Sequence, residues 1–191
     1  MADLRIYHGF RSPYSRLGMH LLKRSALTDL QSSIIPVTSV ASDVTFADPT
    51  KNKPKLAYYS EDVPRMTLRM GLAIRAPQPF DVDYGPANRA QIAATMDKRG
   101  LDFAIAVSDA RWGEGKDISD LSVLKEAAAA IEWDGGNIER SQSDPAVDEQ
   151  IEANRALIEQ DRVFGVPFAV YDGQKFWGHD RFDLLVEIAS P

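Results

Sequence analysis

The sequence predicts an α/β protein in which a βαβ unit and a ββα unit frame a long run of helices. Three observations predict it. Residues 4–40 pass from an apolar run through an amphipathic segment to a second, β-branched run; residues 63–160 show helical periodicity almost throughout; and residues 168–189 read as two short strands about an Asp-Gly turn, then a helix.

In order, Leu4 to Tyr7 is the first strand, and Tyr14 to Arg24 is a helix with Tyr14, Leu17, Leu21 and Leu22 on one face. Gly18 in mid-helix costs about 1 kcal/mol relative to Ala, so close packing against a neighbour is its expected reason. Thr28 to Ser33 reads as a loop and Ile34 to Val40 as the second strand, with Pro36 limiting its pairing on one side. From Ala41 the character changes. A polar stretch, Asp48 to Lys55, carries two prolines. Helices are then expected over Val63–Met70, Ala87–Lys98, Leu101–Arg111, Asp120–Trp133 and, from the cap-then-proline signal Ser143-Asp144-Pro145, to about Arg162. The frame resumes with strands at Phe168–Tyr171 and Lys175–Trp177 around Asp172-Gly173, and closes with an amphipathic helix from Asp180 to Ala189. The order βαβ, helical insertion, ββα is that of a thioredoxin-like fold. The expected division is a discontinuous thioredoxin-like domain, residues 1–41 and 163–191, holding an inserted α-helical domain, residues 42–162.

Composition narrows the function. Of 191 residues 44% are apolar, enough for a real core, and 22 basic against 28 acidic residues give a net charge of −6 with no basic, aromatic-laced cluster. Nucleic acid is therefore not an expected partner. No run approaches a membrane span and the start lacks a signal-peptide pattern, so the expectation is a cytoplasmic protein with no membrane partner. With no cysteine, the chain has no disulfide, no thiolate ligand and no cysteine nucleophile of its own. The three histidines, His8, His20 and His179, are not spaced as metal ligands, and no metal is expected.

The stretch Ser12-Pro13-Tyr14-Ser15 stands where the first strand hands over to the first helix. Ser12 suits an N-cap and Pro13 the first helical position. The same stretch aims a helix N-terminus, with its free N–H groups and positive dipole end, at the carboxyl end of a strand, where an anion is favoured. Both readings stay open on the local sequence.

Several separated stretches decide more together than apart: Phe10-Arg11-Ser12-Pro13-Tyr14-Ser15-Arg16-Leu17-Gly18, Asn52-Lys53-Pro54, Arg111-Trp112-Gly113-Glu114-Gly115-Lys116-Asp117-Ile118, and Phe164-Gly165-Val166-Pro167 running into Phe176-Trp177-Gly178-His179-Asp180-Arg181-Phe182-Asp183-Leu184-Leu185. In order and spacing, over nearly the whole chain, they resemble the DsbA-like branch of the thioredoxin superfamily. The closer resemblance is to the glutathione-dependent 2-hydroxychromene-2-carboxylate isomerases and the related kappa-class glutathione transferases. The resemblance implies that Ser12 occupies the position of the redox members' first active-site cysteine, Ser15 that of the second, and Pro167 that of a cis-proline. It implies glutathione as cofactor, with Ser12 bonded to its sulfur, the backbone of Val166 pairing with the tripeptide, Asn52 and Lys55 at its glycyl side, and His179 and Asp180 at its γ-glutamyl end.

The implied activity is cis–trans isomerisation of an aromatic-degradation carboxylate by reversible addition of the cofactor's thiolate to a conjugated carbon. A conjugating transferase and a non-catalytic binding protein are the alternatives, and a homodimer is the implied assembly. A hydroxyl donor at a helix N-terminus does favour a thiolate over a thiol, and a cysteine-free pocket can meet sulfur only on a ligand. Asp180 reads either as a first-turn acid or as the partner of a ligand ammonium group. Arg11 and Tyr14, either side of Ser12-Pro13, are the candidates for substrate contact. Arg11 stands where the family commonly has a small or apolar residue, and reads as a carboxylate clamp or as a surface arginine. His8 stands where the family commonly has aspartate, and reads as a buried, hydrogen-bonded residue or a general acid. His179 replaces a common Ser or Gln, which would make cofactor binding pH-dependent. Tyr84, Arg89 and Trp112 are further candidates from the helical part, each readable as structural.

Overall fold

The structure is a computed structural model that describes residues 4–27, 30–44 and 51–190. Four strands form one sheet in the order β2-β1-β3-β4. They are β1 (Leu4–His8), β2 (Ile34–Pro36), β3 (Phe168–Tyr171) and β4 (Gln174–Trp177). β2 runs parallel to β1, with Ile6 opposite Ile34, while β3 is antiparallel to both β1 and β4. The helices are α1 (Pro13–Lys23), α2 (Lys53–Arg69), α3 (Gly85–Met96), α4 (Gly100–Trp112), α5 (Leu121–Ala130), α6 (Gly136–Ser141), α7 (Pro145–Asp161) and α8 (Phe182–Ala189). The frame and the large helical section between β2 and β3 are the thioredoxin-like architecture expected from the sequence.

Side chains alternate across β1, so each face has its own core. Ile6 packs with Met19 and Leu22 of α1, Leu101 and Ala104 of α4, and Phe182 and Leu185 of α8. Tyr7 faces the other way, with Ile35, Phe168, Val170 and the α7 end at Ile158 and Val163. A third core lies among the helices, where Ala87, Ala90 and Ala94 of α3 meet Phe103 and Val107 of α4, and Leu124, Ala127 and Ala128 of α5. Phe10, from the turn after β1, is buried in that helical core and ties the turn to it.

Several boundaries differ from expectation for identifiable reasons. The segment read as a polar loop up to Lys55 is helical from Lys53: Asn52 caps α2 by accepting the Lys55 N–H at 3.1 Å, and Pro54 sits in the first turn where no N–H is missed. Residues 48–50 of that expected loop lie outside the described residues. α3, α5 and α7 stop short of Lys98, Trp133 and Arg162 because Lys98, Glu132 and Arg162 take left-handed φ values of 57°, 56° and 57°. Left-handed helix endings are usually marked by glycine, and here none marks them. β2 is three residues rather than seven, although Val37 N–H still reaches the His8 carbonyl at 2.8 Å. Residues 30–32 form a short 3-10 turn, His179–Arg181 form a second before α8, and α6 was not anticipated.

Gly18 is explained by contact. A Cβ there would stand 2.9 Å from Cε2 of the fully buried Phe182 ring and 3.3 Å from Cγ of Pro167. Gly18→Ala gains about 1 kcal/mol of helix propensity but forces α1 away from Phe182 and Pro167, and overpacking of this kind costs about 1–3 kcal/mol. The expected net result is a lower urea midpoint with an unchanged m-value. A variant as stable as the parent would show that α1 and α8 separate freely.

Candidate active site

The turn after β1 delivers Ser12 to the end of the sheet. Ser12 N–H closes it on the Gly9 carbonyl at 3.0 Å, and Ser12 itself stays extended at φ −101°, ψ 114°. Its hydroxyl oxygen accepts the Ser15 N–H at 3.2 Å, the capping bond expected from the sequence, with Pro13 in the first turn. Capping uses a lone pair and leaves the O–H. That hydrogen points at the Val166 carbonyl at 3.5 Å, far beyond the usual 2.7–2.8 Å of a hydroxyl bond, so the donor is only loosely held. The capping and ligand-facing readings of Ser12 are therefore compatible.

The Val166–Pro167 bond is cis, and this segment lies opposite Ser12. No described residue accepts the Val166 N–H. Ser15, at the second position of the motif, is fully buried and takes the Gly9 N–H at 3.2 Å, which turns it toward the frame. Phe164 and Trp177, both about half exposed, stack edge to face at 5.0 Å beside the same segment.

Tyr14 binds three elements together. Its ring stacks on that of His179, with centroids 5.1 Å apart and planes 11° apart, and meets the edge of Tyr59 at 5.7 Å. Its hydroxyl donates to Asp62 of α2 at 2.6 Å. Burial and the neighbouring carboxylate raise the Tyr14 pKa, so the phenol stays protonated and donating. The Asp62 carboxyl is held below its ordinary value, first by the Tyr14 bond and further by Tyr58 and Arg65. Burial lowers the pKa of His179 against the pull of Asp180, Asp62 and Asp183, and its buried Nε2 has no partner among the described residues. Lys55 places its Nζ 5.7 Å over the Tyr59 ring. A continuous ladder thus runs from Lys55 through Tyr59 and Tyr14 to His179.

Asp180 follows at the end of that ladder, exposed, paired with Arg181 at 3.0 Å and making no helix-cap bond. It could not sit there beside any residue but glycine: Gly178 has φ +95°, and a Cβ on it would meet Asp180 Oδ1 at 2.5 Å. Asn52 spends its side-chain oxygen capping α2. His8 is buried as expected, but neither ring nitrogen finds a partner among the described residues. Its expected hydrogen bonds are absent, and it instead meets the Phe10 ring edge-on at 4.8 Å.

The three candidates in the helical part are structural in their contacts. Arg89 pins α3 to the Ser141 carbonyl and to Asp148, Trp112 donates to the Phe10 carbonyl at 2.9 Å, and Tyr84 lies beside the buried Arg111. Asp62 and Tyr59 escaped the sequence reading, the missed signal being the helix start itself, Asn52-Lys53-Pro54; Arg111 was marked only as part of the family-like stretch, and its burial had no signal in the sequence. Two grooves of ≈ 460 and ≈ 450 Å³ lie elsewhere, one at the far end of α1 against α4 and α5, the other along the edge of β2; neither includes Ser12, Val166 or His179.

With this geometry in view, likeness to known proteins is informative. The family profile of the DSBA-like thioredoxin domain matches residues 3–189. A 2-hydroxychromene-2-carboxylate isomerase of Sphingobium xenophagum is 25% identical over 184 residues, covering 94% of this chain and 93% of its own. One from Pseudomonas putida is 28% identical over 194 residues, covering 94% of this chain and 90% of its own. Among solved structures, a 2-hydroxychromene-2-carboxylate isomerase superposes with a TM-score of 0.73 at 20% identity, over 97% of this chain and 93% of that one. A probable DsbA oxidoreductase from Streptomyces coelicolor gives 0.73 at 16% identity, over 100% of this chain and 89% of that one, which speaks for the fold. Among the described residues no helix is long and apolar enough to cross a membrane.

Proposed function

Because the chain belongs to the DsbA-like thioredoxin family yet contains no cysteine, we propose that it is a glutathione-dependent isomerase that interconverts the cis and trans forms of 2-hydroxychromene-2-carboxylate or a similar conjugated carboxylate. The observation that carries this reading is the loosely held Ser12 hydroxyl at the N-terminus of α1, facing the Val166–Pro167 segment. A donor at a helix N-terminus stabilises a thiolate, and here the thiol must come with the cofactor. The isomerases to which the chain is similar along most of its length point the same way.

The residues suit the tripeptide. Glutathione has a carboxylate at each end and one ammonium group. Lys55 offers a cation at one end of the aromatic ladder, and Asp180 an anion at the other. Between them the unpartnered Val166 N–H and the neighbouring carbonyl suit an extended backbone. Asn52 keeps its amide NH2 for the glycyl side while its oxygen caps α2. His179, held against Tyr14, would border the γ-glutamyl end with its pKa already low.

Bound glutathione supplies a nucleophile that adds reversibly to a conjugated carbon, so that the former double bond can rotate before elimination restores it. The protein's part is to hold the sulfur ionised through Ser12 and the α1 N-terminus, and to fix the tripeptide so that the attacking atom does not wander. Two titrations test this. Reduced glutathione is expected to bind the parent in calorimetry, and Asp180→Ala to weaken it by about tenfold or more, the loss expected for a charge-assisted bond. Ser12→Ala is expected to lower the glutathione-dependent isomerisation rate by about a hundredfold, as loss of one preorganised donor does. A parent that ignores millimolar glutathione would remove the cofactor and with it the reading, and a stable glutathione conjugate as product would replace isomerase by transferase.

A further inference from the structure

The groove of ≈ 450 Å³ along β2 lies at the start of β1, where Leu4 and Arg5 line it, whereas Ser12 follows the other end of that strand. Its apolar lining comes from four elements: Leu4 of β1, Ile34 and Ile35 of β2, Ile92 of α3 and Leu157 of α7. The volume falls in the range of about 300–1,000 Å³ that holds small molecules.

The polar lining is incomplete in one sense of charge. Asn154 of α7 is only 5% exposed and lines the groove. Its side-chain oxygen accepts Gln150 Nε2 at 2.9 Å, but its NH2 group has no acceptor among the described residues and is not sealed off by its neighbours. Turning both amides over changes nothing, because a single bond between them leaves N–H groups to spare either way. A side chain so enclosed ordinarily has its donors satisfied. Lys98, just beyond α3, lines the same groove and pairs with no carboxylate among the described residues. Its neighbour Asp97 instead accepts the Trp133 indole N–H at 2.9 Å. Arg5 gives two of its donors to Asp161, at 2.7 and 2.9 Å. No described carboxylate lines the groove.

The groove of ≈ 460 Å³ between α1, α4 and α5 shows the contrast. Each charged side chain lining it faces its opposite: Lys23 meets Asp102 at 2.6 Å, His20 meets Asp109 at 2.8 Å, and Lys116 meets Glu114 at 2.7 Å and Glu126 at 2.9 Å. It asks for no ligand charge. Nor does the β2 groove suit an added peptide strand, since the Ile34 carbonyl already accepts Thr95 Oγ1 at 2.9 Å and Pro36 has no N–H to offer.

We propose that the groove along β2 is a second binding site, for a small carboxylate with a compact apolar body: the Asn154 amide and the Lys98 ammonium receive the carboxylate, and the isoleucines take the body. An anion meets the two unsatisfied donors at once, and the absence of an acid from the described lining leaves nothing to repel it. The proposal is independent of the isomerase reading, because no residue of the Ser12 site takes part.

The test uses 2-naphthoate as probe and 2-naphthylmethanol as its uncharged control, titrated into the full chain and followed by amide NMR. The acid is expected to bind with a Kd of about 1 mM or tighter, shifting the amide signals of Ile34, Thr95, Lys98 and Asn154. Lys98→Gln is expected to weaken the acid about three- to tenfold and leave the alcohol unmoved. Asn154→Asp keeps an acceptor for Gln150 but replaces the donor by a negative charge, and is expected to weaken the acid at least tenfold. Lys98 is exposed, so its variant decides the matter even if Asn154→Asp does not fold. No saturation by about 10 mM, shifts confined to the residues around Ser12, or acid and alcohol weakened alike by Lys98→Gln would each overturn the proposal. Glutathione titrated separately reports on the Ser12 site: its failure to bind would sink the isomerase reading and leave this groove untouched.

Discussion

Asp161→Ala is expected to cost about 3–5 kcal/mol, a large part of the about 5–15 kcal/mol that holds a domain of this kind together. Asp161 ends α7 with its side chain only 6% exposed. One oxygen accepts Arg5 Nε at 2.7 Å and the Tyr7 hydroxyl at 2.5 Å, the other accepts Arg5 Nη2 at 2.9 Å. Its backbone carbonyl takes Lys175 Nζ at 2.6 Å. Helix α7 is thereby fastened to β1 and β4. Alanine leaves the Tyr7 hydroxyl, on a fully buried residue, without this acceptor, and removes the two bonds that Arg5 makes to the carboxylate. Tyr7→Phe, which leaves the Arg5 bonds intact, should cost only about 1–2 kcal/mol. Urea unfolding of the two variants decides it, and a loss under about 1 kcal/mol for Asp161→Ala would mean that α7 is held by packing alone.

The same carboxylate gives a sign in pH. Burial opposes its ionisation, but the Arg5 and Tyr7 bonds outweigh burial and hold the carboxyl below its ordinary value. A folded pKa below the unfolded one means stability that is present above the unfolded carboxyl pKa, about 3.9, and is lost as pH falls through the folded value.

His8 makes the protein acid-sensitive over a higher range. It is wholly inaccessible, unpartnered at both nitrogens among the described residues, and pushed down to about 3 by burial alone. The unfolded chain protonates this residue near pH 6.5, the folded protein only near 3, so between those values the unfolded state binds the extra proton. Stability is therefore full above about 6.5 and declines as pH falls, by about 1.4 kcal/mol per pH unit from this residue. His8→Leu removes two unsatisfied nitrogens and keeps an apolar side chain of similar size. The variant is expected to match or exceed the parent at pH 7.5 and to be about 2 kcal/mol less affected by a shift to pH 5. Parallel slopes in the two proteins, from urea unfolding at pH 7.5, 6 and 5, would show that His8 finds a partner in solution.

The parts of the fold and site that could be read in advance were those with local causes. Ser12 and Pro13 at the start of α1, Asp144 and Pro145 at the start of α7, and Asp172-Gly173 between β3 and β4 each satisfy backbone requirements within a few residues, and each stands where the sequence reading put it. The frame follows from them, because an apolar strand beside an amphipathic helix has few ways to bury both faces. Gly18 belongs to this class in part: its cost in a helix announced a close neighbour, though only the folded chain identifies Phe182 and Pro167.

The errors had physical causes too. Asn52-Lys53-Pro54 carries the same start signal as Asp144-Pro145, but Pro64 inside α2 interrupts the helical pattern and obscured it. The consequence reached the candidate site, since Asp62 and Tyr59 ride on the helix that was missed. Helix ends at Lys98, Glu132 and Arg162 were overrun because tertiary packing holds non-glycine residues in left-handed backbone there.

Amino-acid order along the chain was thus enough for the strand and helix frame, for the lack of cysteine, and for Ser12 as the cap of α1. It could not disclose the stack of Tyr14 on His179, the pairing of Arg11 with Asp81, the burial of Arg111, or the absence of partners at His8 among the described residues. Capping, periodicity and turn chemistry act between residues a few positions apart, whereas the Arg11–Asp81 and Tyr14–His179 pairings join residues 70 and 165 positions apart and exist only once the helical section has closed over the sheet. A charge or a ring acquires its neighbours, and hence its chemistry, from that closure.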